Sequence, residues 1–226
     1  THRYHIMVRD HRSLAAYKNC MLIGPKYKIC KRLGAAVFEK CQTQKFQLAE
    51  ARVPRGGKGS KGGKRGGSDY GAQLLEKQKA RFIYGLSEAQ FSRYVYEAME
   101  KRGKDSIGGL VNRLESRLDN VVFRAGLVKT RRAARQLVSH GHVMVNGRRV
   151  TVPSFTTSVN DTVSIRTESR PSPLFANRKE AMLEVKTPQW MEVGPDGMSV
   201  TVKQAPTVSE MELPFNAGVI IQFYSR

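Results

Sequence analysis

The strongest constraint on this chain is the run SIGGLVNRLESRLDNVVFRAGL, in which Ile107, Leu110, Val111, Leu114, Leu118, Val121 and Val122 recur at spacings of three and four. That period puts an apolar stripe on one side of a helix, and the stripe has to be buried. Gly126 follows as the residue that tolerates left-handed geometry after a helix end. Thr130 is placed to cap a second helix, TRRAARQLVSH, which Gly141 closes. VMVNGRRV then sets two strand-like triplets around Asn146-Gly147, a strong hairpin signal. A further strand spans residues 162–165 after the Asn160-Asp161 turn. The unit reads helix, helix, small antiparallel sheet.

Charge gives the unit a purpose. Arg113, Arg117, Arg124, Lys129, Arg131, Arg132, Arg135, Arg148 and Arg149 face only Glu115 and Asp119 as acids in the same stretch. Arg131, Arg132 and Arg135 crowd the start of the second helix, where the macrodipole is already positive and an anion is favoured. A few scattered arginines are an ordinary solvated face. Nine basic residues on a helix pair and its hairpin make a phosphate-binding surface. Reversing Arg131, Arg132 and Arg135 together is expected to abolish RNA binding while leaving the fold intact.

At these residues the chain resembles a known family. RLDNVV, ARQLVSHGH and VNGRRV match the two helices and hairpin of the S-four RNA-binding module. That module also occurs on tRNA synthetases, pseudouridine synthases and a ribosome-recycling protein, so it implies RNA binding without deciding the protein. SDYG, QLLEKQKARFIYG and the following Glu88-Ala89-Gln90-Phe91 decide it: this block resembles the small-subunit ribosomal S-four family itself and is absent from the appended modules. Within the block Ser68 caps a helix stopped by Gly85, and Ser87 with Gln90 forms a capping box for the next. Its aromatics recur at helical spacing and are expected in a core.

With 226 residues the chain can hold one large or two small cores. A net charge of +20 argues for a polyanionic partner, and no run has the apolar length of a membrane span. Residues 1–20 are basic and lack the apolar core of a secretory signal; they read as an extension that orders on RNA, because Met21 sits where a family member begins. Some family members carry a four-cysteine zinc site near Cys30, but Tyr27 stands in place of its first cysteine. Cys41 is off the family spacing and Cys20 lies in the extension, so no zinc is expected. ARVPRGGKGSKGGKRGG, residues 51–67, has the glycine and cations of a loop threading between RNA backbones. It lacks the Lys-Ser/Thr ending and strand context of a nucleotide-binding loop.

Toward the carboxyl end, SRPSP is a breaker, 175–185 a short helix, and TPQWMEV-GPDG-MSVTV a strand pair with Trp190 as packing anchor. Residues 219–223 read as a last strand. Enzymatic readings are weak. Arg117-Leu118-Asp119 matches a catalytic triplet of pseudouridine synthases but sits within a helix, with no catalytic domain around it. There Asp119 pairs with an arginine or faces water. His140 and His142 lack partners for a triad or metal site.

The resemblance covers roughly residues 22–226 and implies an α+β fold: a helical domain carrying a helix-helix-small antiparallel sheet module as an insertion. The expected divisions are a basic extension 1–20, an amino-terminal ribosomal domain 21–109, the module 110–170, and a segment 171–226 packing back on the amino-terminal domain. It also implies a structural constituent of the small ribosomal subunit, cytoplasmic and of bacterial or organellar type, with no catalysis and no cofactor. The implied partners are small-subunit rRNA at a junction in its five-prime domain, small-subunit protein S-five, and mRNA at the subunit entrance. The expected rRNA contacts on the module are Arg113, Arg117, Arg124, Lys129, Arg131, Arg132, Arg135, Gln136, Ser139, His140, Asn146, Arg148 and Arg149. On the amino-terminal domain they are Lys26, Lys28, Lys31, Arg32, Lys58, Tyr70, Lys77, Lys79 and Arg81, with Lys61, Lys64 and Arg65 beside the mRNA. An assembly or recycling factor using the same module is the alternative from another class.

Overall fold

A computed structural model of the chain describes residues 24–44, 46, 48, 68–100, 105–172, 175, 187–208 and 213–225. Residues 1–20 with Cys20, the glycine-rich loop with Lys58, Lys61, Lys64 and Arg65, and the expected helix at 175–185 except buried Phe175 lie outside them.

The described chain opens with α1 (Lys26–Leu33) and a 3-10 turn at Glu39–Cys41, and α2 (Asp69–Tyr84) and α3 (Glu88–Glu100) come later. The caps form as the sequence predicts. Ser68 Oγ accepts from Gly71 N, and Gly85 ends α2 at φ 62°. Ser87 Oγ accepts from Gln90 N at 3.3 Å, but Gln90 Nε2 donates to the Tyr94 hydroxyl at 3.1 Å, so half of the capping box is made.

The long amphipathic run does not form one helix. It forms α4 (Ser106–Glu115) and α5 (Leu118–Arg124), broken at Ser116 and Arg117. Arg117 is extended, at φ −68° and ψ 137°, and bridges to Thr156. The loop behind it supplies the missing backbone partners: Leu118 N donates to Phe155 O, Asp119 N to Pro153 O, and Thr157 N to Ser116 O. The break leaves the spacing of apolar residues in step, which is why periodicity cannot show it. It also separates two cores. Leu110, Val111 and Leu114 pack with Tyr84, Leu86, Phe91, Tyr94 and Val95. Leu118, Val121 and Val122 pack with Leu137, Val138, Val143, Val163 and Trp190. The change of core falls at residues 116–117 rather than at residue 110.

Thr130 Oγ1 accepts from Ala133 N and starts α6 (Arg131–Ser139). The hairpin follows as β1 (Val143–Val145) and β2 (Arg148–Arg149), with Asn146 at φ 49° and Gly147 at φ 76°. Positive φ at both central residues is the two-residue turn that matches strand twist. β3 (Thr162–Ile165) follows, then β4 (Met191–Val193) and β5 (Ser199–Val202). The five strands form one antiparallel sheet in the order β2-β1-β3-β5-β4. Trp190, fully buried, anchors this core as expected.

Residues 171–226 do not travel as one piece. The β4–β5 hairpin extends the module's sheet through β3, whereas the end of the chain lies on the helical core. That end is a correction to the expected strand: residues 217–224 form a helix, α7 (Ala217–Tyr224). Asn216 Oδ1 accepts from Gly218 N and Val219 N, and Ala217 and Ile220 are buried against the helical core. An N-cap and a helical burial pattern override the strand preference of Val219, Ile220 and Ile221. The result is an α+β molecule whose two larger cores adjoin, with a small third cluster of Cys30, Cys41 and Phe46 beside α1 among the described residues.

Candidate RNA interface

The two cores meet on a network of charged and polar side chains. Asp119, only 3% exposed, accepts Nε and Nη2 of Arg117 at 3.0 and 2.8 Å, and Nε and Nη2 of Arg135 at 3.0 and 2.7 Å. Arg117, equally buried, donates its remaining Nη1 to the Tyr94 hydroxyl at 2.7 Å. Arg135 crosses the seam to the backbone oxygens of Gly85, at 2.5 Å, and Tyr84, at 3.0 Å. Beside this group, Glu115 is fully buried and accepts from the Tyr84 hydroxyl at 2.6 Å, Asn120 Nδ2 at 2.5 Å, and Arg124 Nε and Nη2 at 3.0 and 2.9 Å. Arg131 Nε donates to Asn120 Oδ1 at 2.8 Å, and its guanidinium lies over the rings of Phe123, at 4.4 Å, and Tyr84, at 4.9 Å.

These contacts set the protonation of the buried groups. Burial alone raises the Glu115 carboxyl, but the Arg124 bond and charge, with Arg131 and Tyr84, overcome it and hold it below the ordinary carboxylate value. Burial and the neighbouring Glu115 push the Tyr84 phenol well up. Burial opposes the charge on Arg117, but Asp119 and Tyr94 outweigh it and raise the guanidinium. Glu115 is therefore held ionised, and both acids of the basic stretch are committed to the interior by their arginine partners.

With the acids occupied inside, the basic residues further out have none to pair with. Lys129, Arg132, Arg148 and Arg149 are exposed, and no ion pair takes any of them among the described residues. Arg149 Nη2 donates to His140 O, the carbonyl that closes α6. A side chain at Gly141, at φ 76°, would strike that guanidinium. On α1, Lys28, Lys31 and Arg32 are exposed in the same way.

The family model described as the Ribosomal protein S4/S9 N-terminal domain matches residues 21–115, and that described as the S4 domain matches residues 116–163. The two meet where the chain passes from one core to the other. The protein described as small ribosomal subunit protein uS4 of Roseiflexus castenholzii is 44% identical over 206 residues, 90% of this chain and 98% of that one. Its namesake from Corynebacterium efficiens is 47% identical over 209 residues with the same shares, and that from Acetivibrio thermocellus is 40% identical over 206. The chain belongs to the uS4 family. A uS4-family member carries both halves, whereas an appended module would match only the second.

Within this uS4-family fold the expected contact residues differ in how far other side chains already occupy them. Gln136, His140, Lys129, Arg132, Arg148 and Arg149 are exposed on the module, with Ser139 half-buried and its hydroxyl donating to Gln136 O. Arg113 bonds Thr156 Oγ1 at 2.7 Å and pairs with Glu97 at 3.3 Å, while Tyr70, 54% exposed, packs on Phe223. Asn146 locks the turn, donating to Asp161 and accepting from Thr162 N. Arg117 and Lys77 are corrections: both are buried, and Lys77 pairs with Glu88 at 2.6 Å beneath Phe223. Lys79 is taken by Glu76 and Arg81 by Glu88, and Lys26 is half-buried near Phe38. Arg135 is half-buried, and its pair with Asp119 offsets part of the crowd of positive charge at the α6 terminus. Reversing it would set two carboxylates together at the seam, so the triple reversal is expected to destabilise the fold as well.

Sequence reasoning missed Tyr84, Tyr94 and Asn120, which complete the network. The available signal was the pair of acids, Glu115 and Asp119, inside so basic a run. Cys30 and Cys41 are both buried, with Cys41 Sγ facing Lys26 O at 3.7 Å. Burial and the bond to Cys30 push the Cys41 thiol up to about 12. Among the described residues no three His, Cys, Asp or Glu side chains gather to hold a metal ion. No described helix is long and apolar enough to cross a membrane.

Proposed function

We propose that this protein is a non-catalytic structural constituent of the small ribosomal subunit, cytoplasmic, that binds the junction in the five-prime domain of small-subunit rRNA. One observation carries the reading: the two acids of the basic stretch, Glu115 and Asp119, are buried in the seam, and no ion pair takes exposed Lys129, Arg132, Arg148 or Arg149 among the described residues. Such cations fix phosphates and recognise RNA by shape more than by base sequence. Arg117 and Asp119 are bound to each other and buried, which leaves neither poised for pseudouridine-synthase chemistry. From family resemblance the reading extends to contact with small-subunit protein S-five and to the mRNA entrance through Lys61, Lys64 and Arg65.

The test is binding to the five-prime domain of small-subunit rRNA against a structured RNA of equal length across a salt series. Both affinities are expected to fall with salt, with a preference for the ribosomal junction surviving at high salt. Equal affinities with equal slopes would reduce the protein to a generic polycation and bring the assembly-factor alternative forward.

A further inference from the structure

The small third cluster brings two free thiols together, Cys30 on α1 and Cys41 at the end of the 3-10 turn. Gly34, at φ 60°, ends α1 with its N–H on Cys30 O, and the turn Glu39–Cys41 comes back against the helix. Both cysteines are fully buried and share their cluster with Phe46. Cys41 Sγ faces Lys26 O at 3.7 Å, the carbonyl one helical turn before Cys30, and its thiol is hydrogen-bonded with that of Cys30. The two sulfurs thus lie against one turn of α1. The four-cysteine zinc site of some family members does not fit these residues: Tyr27 holds the place of its first cysteine and stacks on Phe46, ring centroids 5.9 Å apart. The two thiols are left to each other.

We propose that Cys30 and Cys41 are a redox modification site, which a peroxide closes to a disulfide that ties α1 to the 3-10 turn and which a thiol reductant reopens. The chemistry needs no further reactant. One sulfur attacks a peroxide oxygen, the O–O bond breaks, and the departing hydroxide takes the thiol proton as water. The other sulfur then attacks the sulfenic sulfur so formed, the S–O bond breaks, and the hydroxide leaves with the second thiol proton as water. Two electrons pass from the thiol pair to the peroxide. Access comes from the thinness of the cover. Tyr27 is 50% exposed, Val37 and Phe38 are only partly buried, and Gln42, Thr43 and Gln44 beside Cys41 are exposed. A cluster this small opens by local fluctuation while the two larger cores stay closed. The cross-link shuts a short loop and steadies the helix that carries exposed Lys28, Lys31 and Arg32.

The test is peptide mapping of the full, folded chain after treatment with hydrogen peroxide and alkylation of the thiols that remain. Trypsin cleaves after Lys28, Lys31, Lys40 and Lys45, which puts Cys30 in the peptide 29–31 and Cys41 in the peptide 41–45. The expected product joins these two peptides with the loss of two hydrogens, comes from monomeric protein, and separates on reduction with dithiothreitol. C20S removes the third cysteine of the chain and is expected to give the same joined pair in equal yield. A main product linking Cys20 to either partner, a cross-linked dimer, or thiols that resist peroxide until urea is added would each overturn the proposal. Amide hydrogen exchange of the oxidised and reduced chains reads the tie itself. Exchange in α1 is expected to slow about tenfold or more on oxidation. Equal rates in the two forms would mean that the bond holds nothing, and the proposed device would fall.

Discussion

Asp119 shows how much one side chain holds here. It neutralises Arg117, which has no route to water, and tethers Arg135 across the seam. Asp119→Asn keeps the shape but strands a buried guanidinium, so it is expected to lower unfolding free energy by about 3–5 kcal/mol, read by urea denaturation. Glu115 makes a pH prediction. Its folded carboxyl sits below the ordinary 4.5, so the ionised form is bound more tightly in the folded chain. Its stabilisation is complete above that value and is lost as pH falls through the depressed one. The thermal midpoint is expected to drop steeply below pH 4.5. Glu115→Gln is expected to melt lower at pH 7 and to show a shallower acid decline, with Glu88, also lowered, supplying part of the remaining slope. An unchanged acid limb in that variant would remove Glu115 from the account. Neither role could be inferred from residue type, because partners such as Tyr84, far away in sequence, decide them.

At the scale of elements, local rules and tertiary context divide the chain cleanly. Caps and turns are local chemistry: Ser68, Thr130, Gly85 and the Asn146-Gly147 turn all sit where the sequence places them. Thr130→Ala is expected to lose about 1 kcal/mol as one donor at the start of α6 goes unpaired. Gly141→Ala is expected to lose about 1–2 kcal/mol from left-handed backbone strain, and more through its clash with Arg149. Equal melting temperatures for Gly141→Ala and wild type would mean the turn relaxes. The two misread elements share a cause. The α4–α5 break is created by backbone bonds from residues 153–157, and α7 is selected by burial against the helical core, so both depend on partners remote in sequence. The apolar spacing across Leu114 and Leu118 suits one helix or two, and Val-Ile-Ile suits strand or helix until a surface is offered.

Across the whole molecule, the cations of the described residues are sorted by depth. Reversing Arg132, Arg148 and Arg149 together is expected to leave the urea midpoint nearly unchanged, each site costing within about 0.5 kcal/mol, while RNA affinity collapses. Reversing Arg135 alone is expected to destabilise the fold at the seam. If the two variants behaved alike in stability, the division into outer and inner arginines would be wrong. The α+β class, the helix-helix-hairpin unit, the caps, the hairpin turn and the RNA-binding character were all legible from the sequence, since each depends on residues a few positions apart or on summed charge. Which arginines face outward, where one core gives way to the next, and how the final segment divides between them were decided only by the tertiary structure. A buried acid reassigns every cation within its reach, and only the fold says which cations those are.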